Sequence, residues 1–444
     1  MFKKIKKYNP YSYFKKDKTF IGKDIQSGSP VYIDDDLIKR QKMKHLVISG
    51  STGCGKGAQT QVLLNQFLIK DYPVVAIDPN NDEFMIKSLK YNAEKRGKNF
   101  HLIDFKEYTK PQIDLLQGAN SYEFTQITNT LFPALKIKDT DGNYYAQFSR
   151  DARQNYYEKE LDGVSCMYDL HKKVFDKYGE EALKDANNNL SQFVTEFLNF
   201  AKIPMFMVKN SLSIKDAIEN GDIIYILTPD LEADDELAYL CKAFLVRIIQ
   251  IISNRDIATS RHVVFFIDEF GDYVNKILQK ALQKIRKKKC LLILNLTSFD
   301  ELMGIKSDVT GESVMHSIET NCIKILYEQG SVKSAQKASE MTGEHIVNVE
   351  RKRLKTNDAQ KDIKDNSETI IVPQKENIYS ASMFSNLPEG VALYMNKGLP
   401  QLIHTEILRI PDNVEYPTLI QAEPYNANDS ETDSEDSDDI MGAL

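Results

Sequence analysis

Short apolar runs punctuate this chain, separated by longer stretches in which hydrophobic residues recur every three or four positions. HLVISG begins at His45, PVVAIDP at Pro73, FHLIDF at Phe100, DIIYILTP at Asp222, HVVFFIDEF at His262, CLLILNL at Cys290 and NCIKILY at Asn321. Runs of this length, rich in β-branched and aromatic residues, predict strands covered on both faces. After the first of them, Val62, Leu63, Phe67 and Leu68 fall at helical spacing, and a long helix is predicted from Asp235 to about Asn254. Strand and helix in alternation predict an α/β fold built on a mainly parallel sheet. PVYIDDDL, from Pro30 to Leu37, adds a short strand and turn ahead of the first buried strand.

The pattern changes between about Tyr108 and Lys215. There YEFTQITNTLF, SRDARQNYYEKEL and LSQFVTEFLNF keep a helical period in a background of Asn, Gln, Lys and Tyr, which predicts an all-helical insertion. The expected division is a basic arm over 1–24, a nucleotide-binding domain over 25–107 and 216–420, the helical domain over 108–215 and a disordered acidic tail over 421–444. Residues 351–368 read as a charged flexible loop.

A chain of 444 residues with 42% hydrophobic side chains has enough apolar surface for substantial cores. No apolar run reaches the length that spans a bilayer, and the N-terminus has no apolar signal core, so the expectation is a cytoplasmic protein, at most peripheral to a membrane. Five scattered cysteines without a CxxC pair argue against both a disulfide framework and a zinc site. The formal charge of −7 is concentrated, because Asp429 to Asp439 alone carries seven acids and no base. Seven lysines lie within the first 18 residues, interleaved with Tyr8, Tyr11, Tyr13 and Phe14, a pattern that suits anionic lipid, a phosphate backbone or plain solvation.

The chemistry concentrates in HLVISGSTGCGKGAQTQ. Its GxxxxGK spacing lies between a predicted strand and a predicted helix, the context in which glycines turn backbone N–H groups toward phosphates and the lysine reaches the terminal ones. Gly50, Thr52, Gly53, Cys54, Gly55, Lys56, Gly57 and Ala58 are the candidate nucleotide contacts. A plain glycine turn is the bland alternative. Asp268 and Glu269 end a second apolar strand, Asp268 as the candidate holder of the Mg²⁺ shell and Glu269 as the group that polarises the attacking water. Gly57 breaks the pattern, since a serine or threonine there would ordinarily ligate the metal; Thr60 lies too far along the helix to replace it.

Together with the P-loop, the segments FIGKDIQSGSPVYIDDDL, VVAIDPNND, FSRDAR, SIKDAIENGDIIYIL, VVFFIDEFGDYV, LLILNLTSFDEL, ASEMTG and NLPEGVALYMNKGLPQLI resemble, in order, the type IV secretion coupling proteins of the conjugative TraD/TraG class. The resemblance implies a RecA-like P-loop NTPase with an inserted all-helical domain, binding ATP and Mg²⁺ and assembled as a hexamer at a secretion channel. It also implies DNA or a relaxase–DNA complex as substrate, an arginine finger at Arg286 reaching a neighbour's γ-phosphate, and Thr297 standing where the family usually has a phosphate-sensing glutamine. The acidic tail takes the place of tails that recruit DNA-bound accessory proteins, or it serves solubility. The family's N-terminal membrane pair is missing from this sequence. Lysines around 284–289 and Arg351 to Lys355 are the weaker candidates for DNA contact, because charge runs are usually solvated faces.

Three readings follow. In the first, Lys56, Asp268, Glu269 and a neighbour's Arg286 hydrolyse ATP to move DNA. In the second, Gly57 and Thr297 mark a nucleotide-binding receptor or adaptor with weak or no turnover. The third, a translocase for chromosomal or viral DNA, is disfavoured by the C-terminal likeness.

Overall fold

The apolar runs become the strands of one large sheet in a computed structural model that describes residues 6–35, 40, 42, 44–136, 143–184, 190–229, 235–305, 309–354, 367–396 and 398–426. In chain order the strands are β1 (Lys18–Asp24), β2 (Pro30–Asp34), β3 (His45–Ser49), β4 (Val74–Asp78), β5 (Phe100–Asp104), β6 (Val208–Asn210), β7 (Ile223–Leu227) and β8 (Val263–Ile267). They continue as β9 (Cys290–Leu296), β10 (Cys322–Leu326), β11 (Glu344–Leu354), β12 (Ser367–Asn377), β13 (Val391–Met395), β14 (Gln401–His404) and β15 (Glu423–Pro424). The sheet has the order β2-β1-β14-β13-β10-β3-β9-β8-β4-β7-β5. From β10 to β5 every pairing is parallel, whereas β13, β14, β1 and β2 join it antiparallel.

Every residue of β3, β4, β7, β8 and β9 is buried, as two-sided coverage demands. One face packs against the helices Lys56–Ile69 and Glu83–Lys95. The other lies under the helix Asp235–Asn254 and the helical region between β5 and β6. That region is built from helices Ser121–Leu131, Asn143–Asn155, Met167–Tyr178 and Gln192–Ala201. Its core is aromatic: Tyr157 and Phe197 lie 4.9 Å apart between ring centres, and Phe132 and Phe193 5.5 Å, both edge to face. Asn120 and Glu123 close a reciprocal capping box at its first helix. The same Glu123 ties the region to the long helix through Arg247 (3.3 Å) and Asn254 (2.6 Å).

Four expectations are corrected. The segment Leu237–Asn254 is long and apolar enough to cross a membrane, yet 67% of it is buried inside the fold, so it reads as a core helix. Residues 351–354 and 367–368 are not loop; they belong to the β11–β12 hairpin, a ladder running from Glu344↔Asn377 to Leu354↔Ser367. The succession Arg351, Lys352, Arg353 hid the strand there, because it offers no apolar alternation to read. The N-terminal arm is not a simple tail up to 24: β1 begins at Lys18, and Phe20 is fully buried among Tyr8, Tyr13 and Tyr32. The Tyr8 hydroxyl donates to the His404 carbonyl (2.7 Å), while the Lys23 ammonium lies over the half-buried rings of both Tyr8 and Tyr13. Finally, the chain is ordered past 421: β15 pairs with β6, and the Tyr425 hydroxyl donates to Asp169. The acids from Asp429 to Asp439 lie outside the described residues.

One buried acid predicts a pH dependence of stability. Asp114 is buried beneath the helical region, and burial pushes its carboxyl up to about 7 despite the Leu116 N–H that it accepts. The folded chain therefore keeps a proton that the unfolded chain releases near 4, and stability falls as pH rises from about 4 to about 7. An Asp114→Asn variant, which preserves the acceptor, is expected to be more stable than wild type at pH 8 and to lose that advantage at pH 4. Urea unfolding at both pH values checks this.

Candidate nucleotide and metal site

β3 and β8 both end at the C-terminal edge of the parallel sheet, with β9 between them. Register aligns their ends: Ser49 pairs with Leu296, and Ile267 with Leu294 and Ile77. The glycine loop, Thr297, Asp268 and Asp78 therefore arrive at one crevice, where ligands bind in open parallel sheets.

The loop has the backbone that its glycines permit. Gly53 and Gly55 have φ of 79° and 113°, left-handed values that side chains resist, and a Cβ on Gly55 would meet the Gly390 backbone at 3.1 Å. Lys56 opens the helix and its ammonium donates to the Gly50 carbonyl and to the Ser51 carbonyl (3.2 Å). Thr52, Gly53 and Gly57 are exposed at the loop surface; Ala58 is half-buried one residue further along. Cys54 is buried, and burial pushes its thiol up, so it packs as a small apolar side chain and is a poor nucleophile.

Asp268 is held above the usual carboxylate range, at about 6, first by burial and next by the Asp78 carboxylate, with hydrogen bonds from Asn80 and Asn295 opposing. Glu269 has a left-handed backbone (φ 43°), which turns its side chain onto the end of β9, where the Thr297 hydroxyl donates to its carboxylate at 2.7 Å. Asp78 accepts from the Tyr225 hydroxyl (2.6 Å) and from the N–H groups of Asn80 (2.8 Å) and Asp82 (2.9 Å). Among the described residues no three His, Cys, Asp or Glu side chains surround one point as a self-sufficient metal cage.

Arg286 does not join this cluster. It lies on the turn Ile285–Lys288 ahead of β9, at the opposite sheet edge, where its charge, second to burial, helps hold the His45 imidazole down at about 3. The seven residues of β9 put roughly 20 Å between the two ends.

Asn295 was missed by sequence reasoning. Its side chain accepts from the Thr60 hydroxyl (3.1 Å) and donates to Asp268, so it bridges the helix behind the P-loop to the acid on β8. The signal was present: Asn295 is the polar residue within the otherwise apolar β9. Thr60 is fully buried and committed to this bridge, which explains why its hydroxyl cannot replace the one missing at Gly57.

Residues 19–303 match the family model of the helicase HerA central domain, DUF87. Among solved structures the chain is similar to the unbound bacterial conjugative coupling protein TrwB, with a TM-score of 0.61 at 19% identity, over 95% of this chain and 97% of that one. TrwB in complex with ADP and Mg²⁺ gives 0.61 at 18% identity over 95% and 98%. VirB4 of Thermoanaerobacter pseudethanolicus gives 0.59 at 17% identity over 88% and 96%. These likenesses establish a RecA-like P-loop fold. No curated protein matches the chain significantly.

Proposed function

Since the chain belongs to the family of the helicase HerA central domain, we propose that it is a ring-forming ATPase of the type IV secretion coupling class. In this reading it binds ATP with Mg²⁺ and uses hydrolysis to move DNA, alone or with a bound relaxase, into a secretion channel at the inner face of the membrane. The observation that carries the reading is the convergence of Lys56, Asp268 and Glu269 on one crevice, cross-braced by Asn295. The donors around that crevice are carboxylate oxygens, hard ligands of the kind Mg²⁺ takes, and the left-handed backbone at Gly53 and Gly55 gives the loop the turn that lets N–H groups face phosphates. TrwB, whose fold this chain shares, has been seen with ADP and Mg²⁺.

Each side chain then has a task. Lys56 transfers its ammonium from the loop carbonyls to the terminal phosphates. Asp268 would hold the metal shell, and Mg²⁺ bound there would supply positive charge beside the phosphoryl oxygens. Glu269, aimed by Thr297, orients water and takes its proton. Arg286 is too far from its own crevice and acts on a neighbour's, which makes the hexamer a condition of turnover. Channel proteins, and an accessory protein met by the acidic tail, complete the expected partners.

Gly57 and Thr297 favour a second reading, a nucleotide-binding receptor that no longer turns over. Phosphate release from ATP, with and without DNA, in wild type and Gly57→Ser separates the two. The motor is expected to show DNA-stimulated hydrolysis that serine changes only a few-fold. Undetectable wild-type hydrolysis rescued by serine would establish the receptor.

A further inference from the structure

Gly57 leaves the P-loop without its hydroxyl, and the structure puts another oxygen beside the gap. A Cβ built on Gly57 would lie 3.4 Å from Asp82 Oδ2. That carboxylate therefore borders the space that a serine or threonine side chain would occupy. We propose that Asp82 replaces the missing Walker-type hydroxyl as the protein oxygen that meets Mg²⁺ on the P-loop side of the nucleotide. The proposal rests on the nucleotide-site reading above and deepens it by naming a residue for the metal.

The loop after β4 holds Asp82 in this position. Its backbone N–H donates to Asp78 Oδ2, and Asp78 is itself fixed by the Tyr225 hydroxyl. Asn81 turns the chain with a left-handed backbone (φ 54°), and its side chain accepts from the Tyr416 hydroxyl (2.8 Å). Asp82 also caps the helix Glu83–Lys95, accepting the Met85 N–H on Oδ1 at 3.0 Å. The cap occupies one carboxylate oxygen and leaves Oδ2 facing Gly57. A carboxylate is a hard, charged oxygen donor, at least as good a partner for Mg²⁺ as the neutral hydroxyl it stands in for.

The helix cap makes the test clean. Asparagine caps as well as aspartate, so Asp82→Asn keeps the Met85 contact while removing the anionic oxygen. ADP affinity is measured by calorimetry with and without Mg²⁺ in the full chain, for wild type, Asp82→Asn and the double variant Asp82→Asn with Gly57→Ser. The expected result is that Mg²⁺ tightens ADP binding to wild type, that Asp82→Asn loses at least about 10-fold of this metal-dependent gain with metal-free affinity unchanged, and that the serine hydroxyl of the double variant restores it. An unchanged gain in Asp82→Asn, or an equal loss with and without metal, overturns the proposal while leaving the nucleotide site intact. Wild-type protein that takes up no ADP under either condition overturns both.

Discussion

Lys56→Ala is expected to lower ATP hydrolysis by at least about 10²–10³-fold, the scale on which a single preorganised donor to a developing phosphoryl charge acts. Nucleotide affinity is expected to fall with it, because the same ammonium meets the ground-state phosphates. The fold should be untouched. The Lys56 side chain is half-buried and its partners are carbonyls of its own loop, at Gly50 and Ser51, so no distant element depends on it. Phosphate release and calorimetric ATP binding, beside an unchanged circular dichroism spectrum and melting temperature, check this. A variant with wild-type turnover would remove the loop from the chemistry.

Glu269→Gln is expected to separate the two losses. The amide keeps the size of the carboxylate and can still accept from the Thr297 hydroxyl, so the crevice should hold its geometry and bind ATP about as well as wild type. It cannot take a proton from water. Hydrolysis should therefore drop by about 10²–10⁴-fold with ATP affinity changed less than a few-fold, the signature of a group whose contribution is confined to the transition state. Single-turnover hydrolysis beside equilibrium binding reads both quantities. Equal losses in binding and turnover would instead make Glu269 part of the phosphate cradle.

The parallel core was legible because burial on both faces forces continuous apolar runs, and β3, β4, β7, β8 and β9 have no exposed residue to interrupt them. The P-loop was legible because its chemistry is local: seven consecutive residues and the strand and helix on either side. The β11–β12 hairpin was not, since its ladder of 11 residues a side lies outside the main sheet, and its charges broke the alternation that marks a half-buried strand. The aromatic arm was misjudged for a related reason. Lysines at Lys15, Lys16 and Lys18 dominate its composition, while Tyr8 and Tyr13 pack on Phe20 of β1 and Tyr8 is tied to His404, 396 positions away.

By itself, the sequence determined which segments had to be strands, where the glycine loop would join strand to helix, and that two acids would end a buried strand, because each follows from hydrophobic period or from a contiguous motif. Tertiary structure alone decided what shares the crevice. Thr60, Asn295 and Asp268 are joined by hydrogen bonds across as many as 235 positions, and Asp82 comes to face Gly57 through the turn after β4. The physical reason is that a strand's direction and neighbours are set by the packing of the whole sheet, so side chains meet at its C-terminal edge through pairing register, which no local stretch of residues encodes.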